Sequence, residues 1–471
     1  MSAAVAAVDL GATSGRVVVG HVSQDSLRIR QVARFPNGAV SLPDGLHWNA
    51  QGLYRAALDG LRDAVTWEQG LASVGVDSWA VDYALLRGGR TLGEPFHYRD
   101  GRHAPAAEAV HERVAFADLY ARNGLQFLPF TTVYQLAAED PAVLSAADGM
   151  LLVPDLRGYW LTGRAVAERT NASTTGMLDV ATREWDRSLL DVLGLDAGLL
   201  PGLVDAGEVI GPLLEAPAQH TGLRDARVIA VGSHDTASAV VATPMRETGG
   251  AYISCGTWGL VGVETERPVL SEAAREANFT NEGGVDGRTR FLHNVMGLWL
   301  LSESIRTWER EGSAVDLERL LAEAAAIGSD VPVFDANDPL FMAPGDMPER
   351  IAQWCTTRGL SAPATRAEFA RSIVESLASA FADAVASASS LSGKRVDTIH
   401  MVGGGALNEL LCQRTADRSG LTVVAGPVEA TALGNVLVQG RALGAIGGTL
   451  ESMRDLVRHA FSPRTFEPTG A

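Results

Sequence analysis

The sequence predicts an α/β protein made of two similar-sized halves, and three observations lead there. Residues Val5 to Leu10 form an apolar strand pattern that passes through Gly11 and Gly15 into a second apolar run, Arg16 to Val22. The same plan returns at Ala251 to Val263, where strand, Gly256-Thr257 turn and strand follow one another. Two further apolar runs, Val228 to Val231 and Val396 to Val402, each deliver a polar or glycine-rich turn into a helical stretch. Two hairpins of one plan at the head of two halves indicate duplication. The chain divides accordingly into 1–243 and 244–471, with a boundary read at Met245 to Gly250.

The 471 residues are 46% hydrophobic and 20% charged, enough to bury more than one core. The formal net charge of −17 argues against a nucleic-acid backbone or an anionic membrane surface as partner. Lys394 is the only lysine, so no P-loop exists, and phosphate must be held by backbone amides, arginine or a metal ion. Cys255, Cys355 and Cys412 have no metal-ligand spacing, which fits buried thiols in a reducing compartment. The short apolar N-terminus lacks a basic segment and no run of about 18 apolar residues occurs, so a cytoplasmic protein without a membrane span is expected.

In chain order, Leu27 to Phe35 gives a third strand after the first hairpin. The loop Ala12-Thr13-Ser14-Gly15 between its first two strands exposes successive amides and two hydroxyls, a nest suited to phosphate oxygens or an ordinary hairpin turn. Asp9 just before it is placed to orient a magnesium ion through water. The spacing of Leu53, Ala57, Leu58, Leu61 and Val65 predicts a helix over Ala50 to Trp67. Two strands, Ala72 to Asp77 and Val81 to Leu86, flank Ser78-Trp79-Ala80. The cluster Tyr98-Arg99-Asp100-Gly101-Arg102 suits a polyhydroxylated ligand or a solvated loop. Residues 106–148 read as helical with breaks at Pro129 and Pro141, and Val153 to Gly163 as a turn and short helix ended by glycine. Arg169 to Gly176 is too polar for a core and reads as a linker or a site rim. Residues 188–225 read as short helices and turns.

The centre of the chain is Gly232-Ser233-His234-Asp235-Thr236-Ala237-Ser238, a strand-to-helix turn with a carboxylate at its tip. Asp235 or Ser233 either caps the helix, or Asp235 serves as a base. Near the C-terminus, Gly403-Gly404-Gly405 lets a flat ligand or its phosphates approach backbone and helix N-terminus, and helix is expected from Glu409 onward and over Glu429 to Leu437. No Gly-x-Gly-x-x-Gly dinucleotide signature and no Gly-x-Ser-x-Gly elbow is present. Glycine turns with hydroxyls in both halves, Asp9 and a strand-end Asp235 fit phosphoryl transfer, which needs positioned phosphates, a metal and a carboxylate to take a proton.

The ordered motifs Asp9-Leu10-Gly11-Ala12-Thr13-Ser14-Gly15-Arg16, Asp77-Ser78-Trp79-Ala80-Val81-Asp82-Tyr83, Tyr98-Arg99-Asp100, Gly232 to Ser238, Cys255-Gly256-Thr257-Trp258, Asn294 with Gly297-Leu298-Trp299-Leu300, Gly403-Gly404-Gly405 and Gly426-Pro427-Val428-Glu429-Ala430 span nearly the whole chain. In this order they resemble the FGGY carbohydrate kinases. Ser233-His234-Asp235-Thr236 and Asp77-Ser78-Trp79 resemble the branch acting on L-rhamnulose. The resemblance implies a two-domain actin-like ATPase fold of ribonuclease-H-like topology with the site in the interdomain cleft. It also implies ATP and Mg2+ as cofactors and conversion of L-rhamnulose to L-rhamnulose 1-phosphate. Residue by residue, it implies Asp235 as catalytic base, with His234, Thr236, Asn294 and Ala80 toward the sugar. Ala12, Thr13, Ser14, Gly15 and Arg16 match the phosphate turn, Thr257 a second such turn, Gly403 and Gly404 the adenine-side glycines, and Ser302 a nucleotide-proximal position where some members carry glutamine. Ala80 departs from the family's usual glycine, and the resemblance implies that its extra methyl at the sugar wall narrows or shifts specificity. Alternatives are a kinase of the family acting on another ketose such as L-fuculose or L-xylulose, a non-catalytic sugar and nucleotide sensor, or an ATP hydrolase. The sequence leaves monomer and homodimer open.

Overall fold

The computed structural model describes residues 2–246, 249–327 and 331–469. Glu247 and Thr248, inside the boundary read at Met245 to Gly250, lie outside the described residues. Two compact units are present, and both are discontinuous in sequence. The first comprises Met1–Pro244, Glu264–Phe291 and Ala430–Phe461; the second comprises Met245–Val263, Leu292–Glu429 and Ser462–Ala471.

In the first unit, β1 (Ser2–Leu10), β2 (Ser14–Ser23) and β3 (Ser26–Pro36) form an antiparallel meander. Next to β1 lies β4 (Ser73–Ser78) in parallel, followed by β5 (Val209–Pro212) and β6 (Arg227–Ile229), giving the order β5-β6-β4-β1-β2-β3. The region 188–225 thus holds two strands, Gly202–Val204 and Val209–Pro212, as well as helices and turns. β5 is a short edge strand with no fully buried residue, so it lacks the apolar pattern that marks a strand in sequence. Helix α1 (Ala50–Trp67) spans the predicted range: Asn49 accepts from Gly52 N at its start, and Leu53, Ala57, Leu61 and Ala64 are buried.

Helix α2 (Asp235–Ala242) follows the central turn, and α3 (Ala430–Ala442) and α4 (Leu450–Ala460) return to the same unit. α3 lies so close on the sheet that a Cβ at Gly20 would sit 2.4 Å from Val436, and one at Gly75 2.4 Å from Asn435 Oδ1. Its side chains complete the sheet's polar accounting: Gln439 donates to Ala6 O at 3.0 Å and accepts from Ser73 Oγ at 2.6 Å.

The second unit repeats the plan. β7 (Gly249–Cys255) and β8 (Trp258–Thr265) form the hairpin, β9 (Val396–Val402) runs parallel beside β7, β10 (Thr422–Ala425) parallel beside β9, and β11 (Arg464–Phe466) closes antiparallel. A strand hairpin with a parallel neighbour on the outer side of its first strand is therefore common to both units, as duplication predicts.

One expectation is corrected. Arg169 to Gly176 is no linker: Thr170 through Gly176 is buried. Its polarity is absorbed locally, since Ser173, Thr174 and Thr175 donate to the carbonyls of Thr170, Asn171 and Ala172, each at 2.7 Å. All three cysteines are buried and unpaired by disulfide, and burial pushes the Cys412 thiol up to about 12. Among the described residues, no helix is long and apolar enough to cross a membrane.

Candidate active site

Asp235 is the first residue of α2, with His234 at the cap position and no capping bond from its side chain. The capping alternative for Asp235 or Ser233 therefore gives way to a different use of both. Ser233 is tied down through its N (2.9 Å) and Oγ (3.0 Å), both donating to Glu168 Oε2. The same carboxylate accepts from Thr170 N at 3.0 Å and Thr170 Oγ1 at 2.5 Å, and Glu168 N donates to Asp155 at 3.1 Å. Glu168, immediately before the stretch read as a linker or rim, is thus the clamp on the central turn, and Thr170 of that stretch braces it.

On the other side, Ser78 N at the end of β4 donates to Ser233 O at 2.9 Å, and Ser78 pairs with His234 in a parallel bridge. His234 is buried; its Nδ1 lies 3.0 Å from an Arg290 guanidinium nitrogen and 3.3 Å from Glu282 Oε2, and its Nε2 lies 3.5 Å from Asp235 Oδ1. Arg290 is itself neutralised by Glu282 at 3.1 Å and donates to Gly283 O at 2.9 Å. Thr236 Oγ1 donates to Asp235 Oδ1 at 3.1 Å.

Three carboxylates converge here. Asp9 stands opposite Asp77 in the parallel β1/β4 register and opposite Arg16 across β1/β2, and Arg16 Nε donates to Asp9 Oδ2 at 2.8 Å. Burial first, then the charges of Asp9 and Asp235, holds the Asp77 carboxyl well above the usual range against the Asn435 amide. Although 30% of the Asp235 side chain stays accessible, loss of water around it raises its pKa, with His234 opposing and Asp9 adding to the rise. A partly accessible carboxylate at a helix N-terminus, with a raised pKa, is suited to accept a proton. The Ala12 to Gly15 turn at the end of β1 is braced by Gly11 N donating to Ser14 O and Asn37 Nδ2 donating to Gly11 O, while Thr13 is exposed.

In the second unit, the Gly256-Thr257 turn and the Gly403-Gly404 turn emerge from the ends of the parallel neighbours β7 and β9, paired to Ser254 and Val402. Gly403 has φ +80, and a Cβ there would lie 2.8 Å from Cys255 O. Leu298 N donates to Gly256 O at 2.8 Å, so the segment before helix Trp299–Arg310 supports the first of these turns. Ser302 lies in that helix's first turn and Asn294 in strand Thr289–Met296; both are partly exposed. The structure thus brings Asp9, the Ala12 to Arg16 turn, Ala80, His234, Asp235 and Thr236 together in one unit, and Thr257, Asn294, Ser302, Gly403 and Gly404 in the other.

The residue classes are those of phosphoryl transfer, and comparison with known proteins decides the family. Residues 4–242 match the N-terminal domain, and residues 251–443 the C-terminal domain, of the FGGY family of carbohydrate kinases. The chain belongs to the FGGY carbohydrate kinases. Over 466 residues the kinase is 38% identical to a rhamnulokinase of Bacteroides thetaiotaomicron, covering 98% of this chain and 95% of that one. A rhamnulokinase of Bacillus subtilis is 37% identical over 463 residues, 98% and 95% of the two chains. Among solved structures, ligand-bound xylulose kinase from Lactobacillus acidophilus superposes with a TM-score of 0.79 at 17% identity, over 99% and 94% of the chains. Plasmodium falciparum glycerol kinase with ADP gives 0.76 at 14%, over 99% and 94%. The kinase therefore has the two-domain α/β fold of these sugar kinases, in keeping with the actin-like ATPase fold.

Sequence reasoning missed Glu168, Glu282, Arg290 and the depth of Asp82. Asp82 is fully buried and its carboxylate accepts from Gln135, Trp48, Trp79 and Tyr98 N; burial nevertheless outweighs these donors and pushes it up to about 7 from the ordinary 3.8. Because the folded state holds this proton longer than the unfolded chain, its contribution to stability is present below about pH 4 and is lost as pH rises through about 7. Urea midpoints measured between about pH 5 and pH 8 should fall with rising pH, and Asp82→Asn should flatten that fall. An unchanged slope in the variant would remove Asp82 as its source. The cluster read at Tyr98 to Arg102 is used internally: Asp100 accepts from Leu46 N at 2.8 Å and Arg102 N at 2.9 Å, and Arg102 pairs with Glu139 at 3.2 Å.

Proposed function

We propose that this kinase transfers the γ-phosphoryl group of ATP to L-rhamnulose, giving L-rhamnulose 1-phosphate and ADP. The full-length likeness to rhamnulokinases carries the choice of substrate; the geometry around Asp235 supports the chemistry. Asp235 takes the proton of the C1 hydroxyl as that oxygen bonds to the γ-phosphorus, and the bond from phosphorus to the ADP oxygen breaks. His234 and Thr236 orient the sugar beside the base, with Asn294 a further sugar contact and Ala80 at the sugar wall. The amides of Ala12 to Gly15 with Arg16, and the Thr257 turn, hold phosphate oxygens, while Gly403, Gly404 and Ser302 lie toward the nucleoside. Residues 1–243 in this reading bind sugar and carry the base, and 244–471 bind nucleotide.

Mg2+ fits these residues: it is bound through one or two carboxylates plus substrate phosphates, not by an all-protein cage. Among the described residues no cluster of three or more His, Cys, Asp or Glu forms such a cage, and the carboxylate of Asp9 supplies the hard oxygen donors it prefers, through water. When bound, it neutralises charge on the transferring phosphates. A cytoplasmic location completes the reading.

The test is ADP release from Mg-ATP with L-rhamnulose, L-fuculose, L-xylulose and D-xylulose and a control without sugar. L-rhamnulose should give the highest kcat/KM, with discrimination of about 10–200-fold for changes the size of a methyl group. Another ketose ahead of L-rhamnulose would assign a different substrate to the same chemistry. ADP formed equally without sugar, or none at all, would overturn the kinase reading for a hydrolase or a sensor.

A further inference from the structure

The turn leaving β4 is strained, and the chemistry above does not account for the strain. Val81 has φ +67, a conformation that a β-branched side chain rarely adopts. Asp82 N donates back to Ala80 O at 2.9 Å, which makes Ala80-Val81-Asp82 a γ-turn of the positive-φ kind. Such geometry persists only where the surroundings over-determine it, and it gathers at ligand sites.

The surroundings here come from four separate segments. Thr132 Oγ1 donates to Val81 O at 2.6 Å and Val153 N to Asp82 O at 3.0 Å. The Asp82 carboxylate accepts Trp48 Nε1 at 2.6 Å, Trp79 Nε1 at 3.0 Å and Tyr98 N at 3.3 Å on one oxygen, and Gln135 Nε2 at 2.8 Å on the other. The indoles of Trp48 and Trp79 pack with centroids 4.0 Å apart. Ala80 and Val81 keep partial exposure between buried neighbours, and the turn starts two residues after Ser78, which pairs with His234. A rigid, strained, partly accessible turn therefore stands beside the residue preceding Asp235.

We propose that Asp82 is a positioning residue, whose buried carboxylate pins the strained turn at Val81 so that Trp79 and Ala80 present a preformed wall to the ketose. The assignment rests on the kinase reading above. Without the carboxylate, Trp79 loses its acceptor and the turn relaxes toward negative φ, carrying Ala80 with it. Asn cannot substitute: donors approach both oxygens, so whichever way the amide is turned its NH2 group faces another N–H.

The experiment measures ketose binding by calorimetry without nucleotide, and the separate KM values for sugar and ATP. Asp82→Asn should weaken sugar binding and raise the sugar KM by about tenfold or more, as misplaced binding groups do, leaving the ATP KM within about twofold. Adding Val81→Gly, which takes φ +67 without strain, should return the sugar KM to within about threefold of the wild-type protein. A folded Asp82→Asn variant that binds sugar normally overturns the proposal, and so does absence of rescue by Val81→Gly. Should Asp82→Asn fail to fold, Thr132→Val removes one restraint on the turn and should raise the sugar KM by about threefold with the same split; an unchanged value then overturns the proposal. Wild-type protein that binds no ketose would instead take down the kinase reading, and this assignment with it.

Discussion

Asp235→Asn should leave the protein folded and remove most of its turnover, a loss of about 10²–10⁴-fold in kcat, the usual worth of a positioned general base. The change is nearly isosteric. The carbonyl oxygen of Asn still accepts from Thr236 Oγ1, which lies 3.1 Å from Asp235 Oδ1 in the wild-type chain, so the start of α2 keeps its local bond. What disappears is the oxygen proposed to take the proton. The measurement is ADP release at saturating L-rhamnulose, with circular dichroism as the check on folding. Sugar KM should move little, because the hydrogen-bonding shape of the site survives. A second reading of the same group comes from pH: loss of water around Asp235 and the nearby Asp9 charge raise its pKa, so kcat/KM should fall on the acid side with a midpoint above the ordinary carboxylate value of 3.8. Near-normal turnover in Asp235→Asn, or an acid limb that persists unchanged in it, would move the base to another residue.

How much of the candidate turns was legible in the sequence depends on whether their parts are local. The turns at Ala12 to Gly15, Gly256-Thr257, Gly403-Gly404 and Ser233 to Asp235 were visible, because glycine and hydroxyl residues at the end of an apolar run mark a turn within a few positions. The elements that hold those turns were not. Glu168 grips Ser233 across 65 positions and Arg290 reaches His234 across 56, and no periodicity connects such pairs. Arg169 to Gly176 misled for the opposite reason: counted as polar it belongs outside, yet its hydroxyls bond to carbonyls three residues back and the segment is buried. The order of motifs gave the family, but not the interleaving of the units. Segments Glu264–Phe291 and Ala430–Phe461 fold back into the first unit through packing that the local pattern does not encode.

That return of α3 is where a single methyl group has the second large effect. Gly434 lies in α3 against α2, and a Cβ there would stand 1.8 Å from Ser238 O and 2.6 Å from Ser238 C. Both are backbone atoms, so no rotamer change can make room. The two helices must separate, or α2 must shift along its axis. Neither move is cheap: Ser238 Oγ donates to Gly232 O at 2.7 Å, and Arg454 of α4 donates to Val240 O at 3.0 Å, fixing α2 at both ends. From α3, Asn435 and Gln439 bond to Asp77 and Ala6 and oppose a shift on the other side. Gly434→Ala should therefore cost about 3 kcal/mol, the upper end of overpacking in a core, read as a lowered urea midpoint at unchanged slope. Ser238 sits one turn beyond Asp235 in the same helix, so any displacement that relieves the contact also moves Asp235, the proposed base, and kcat should fall with stability. Gly38→Ala is the control, since a Cβ there meets nothing within 4 Å and should change stability by no more than about 0.5 kcal/mol. If Gly434→Ala matched that control in both midpoint and turnover, the close crossing of α2 and α3 would not be what holds Asp235 in place.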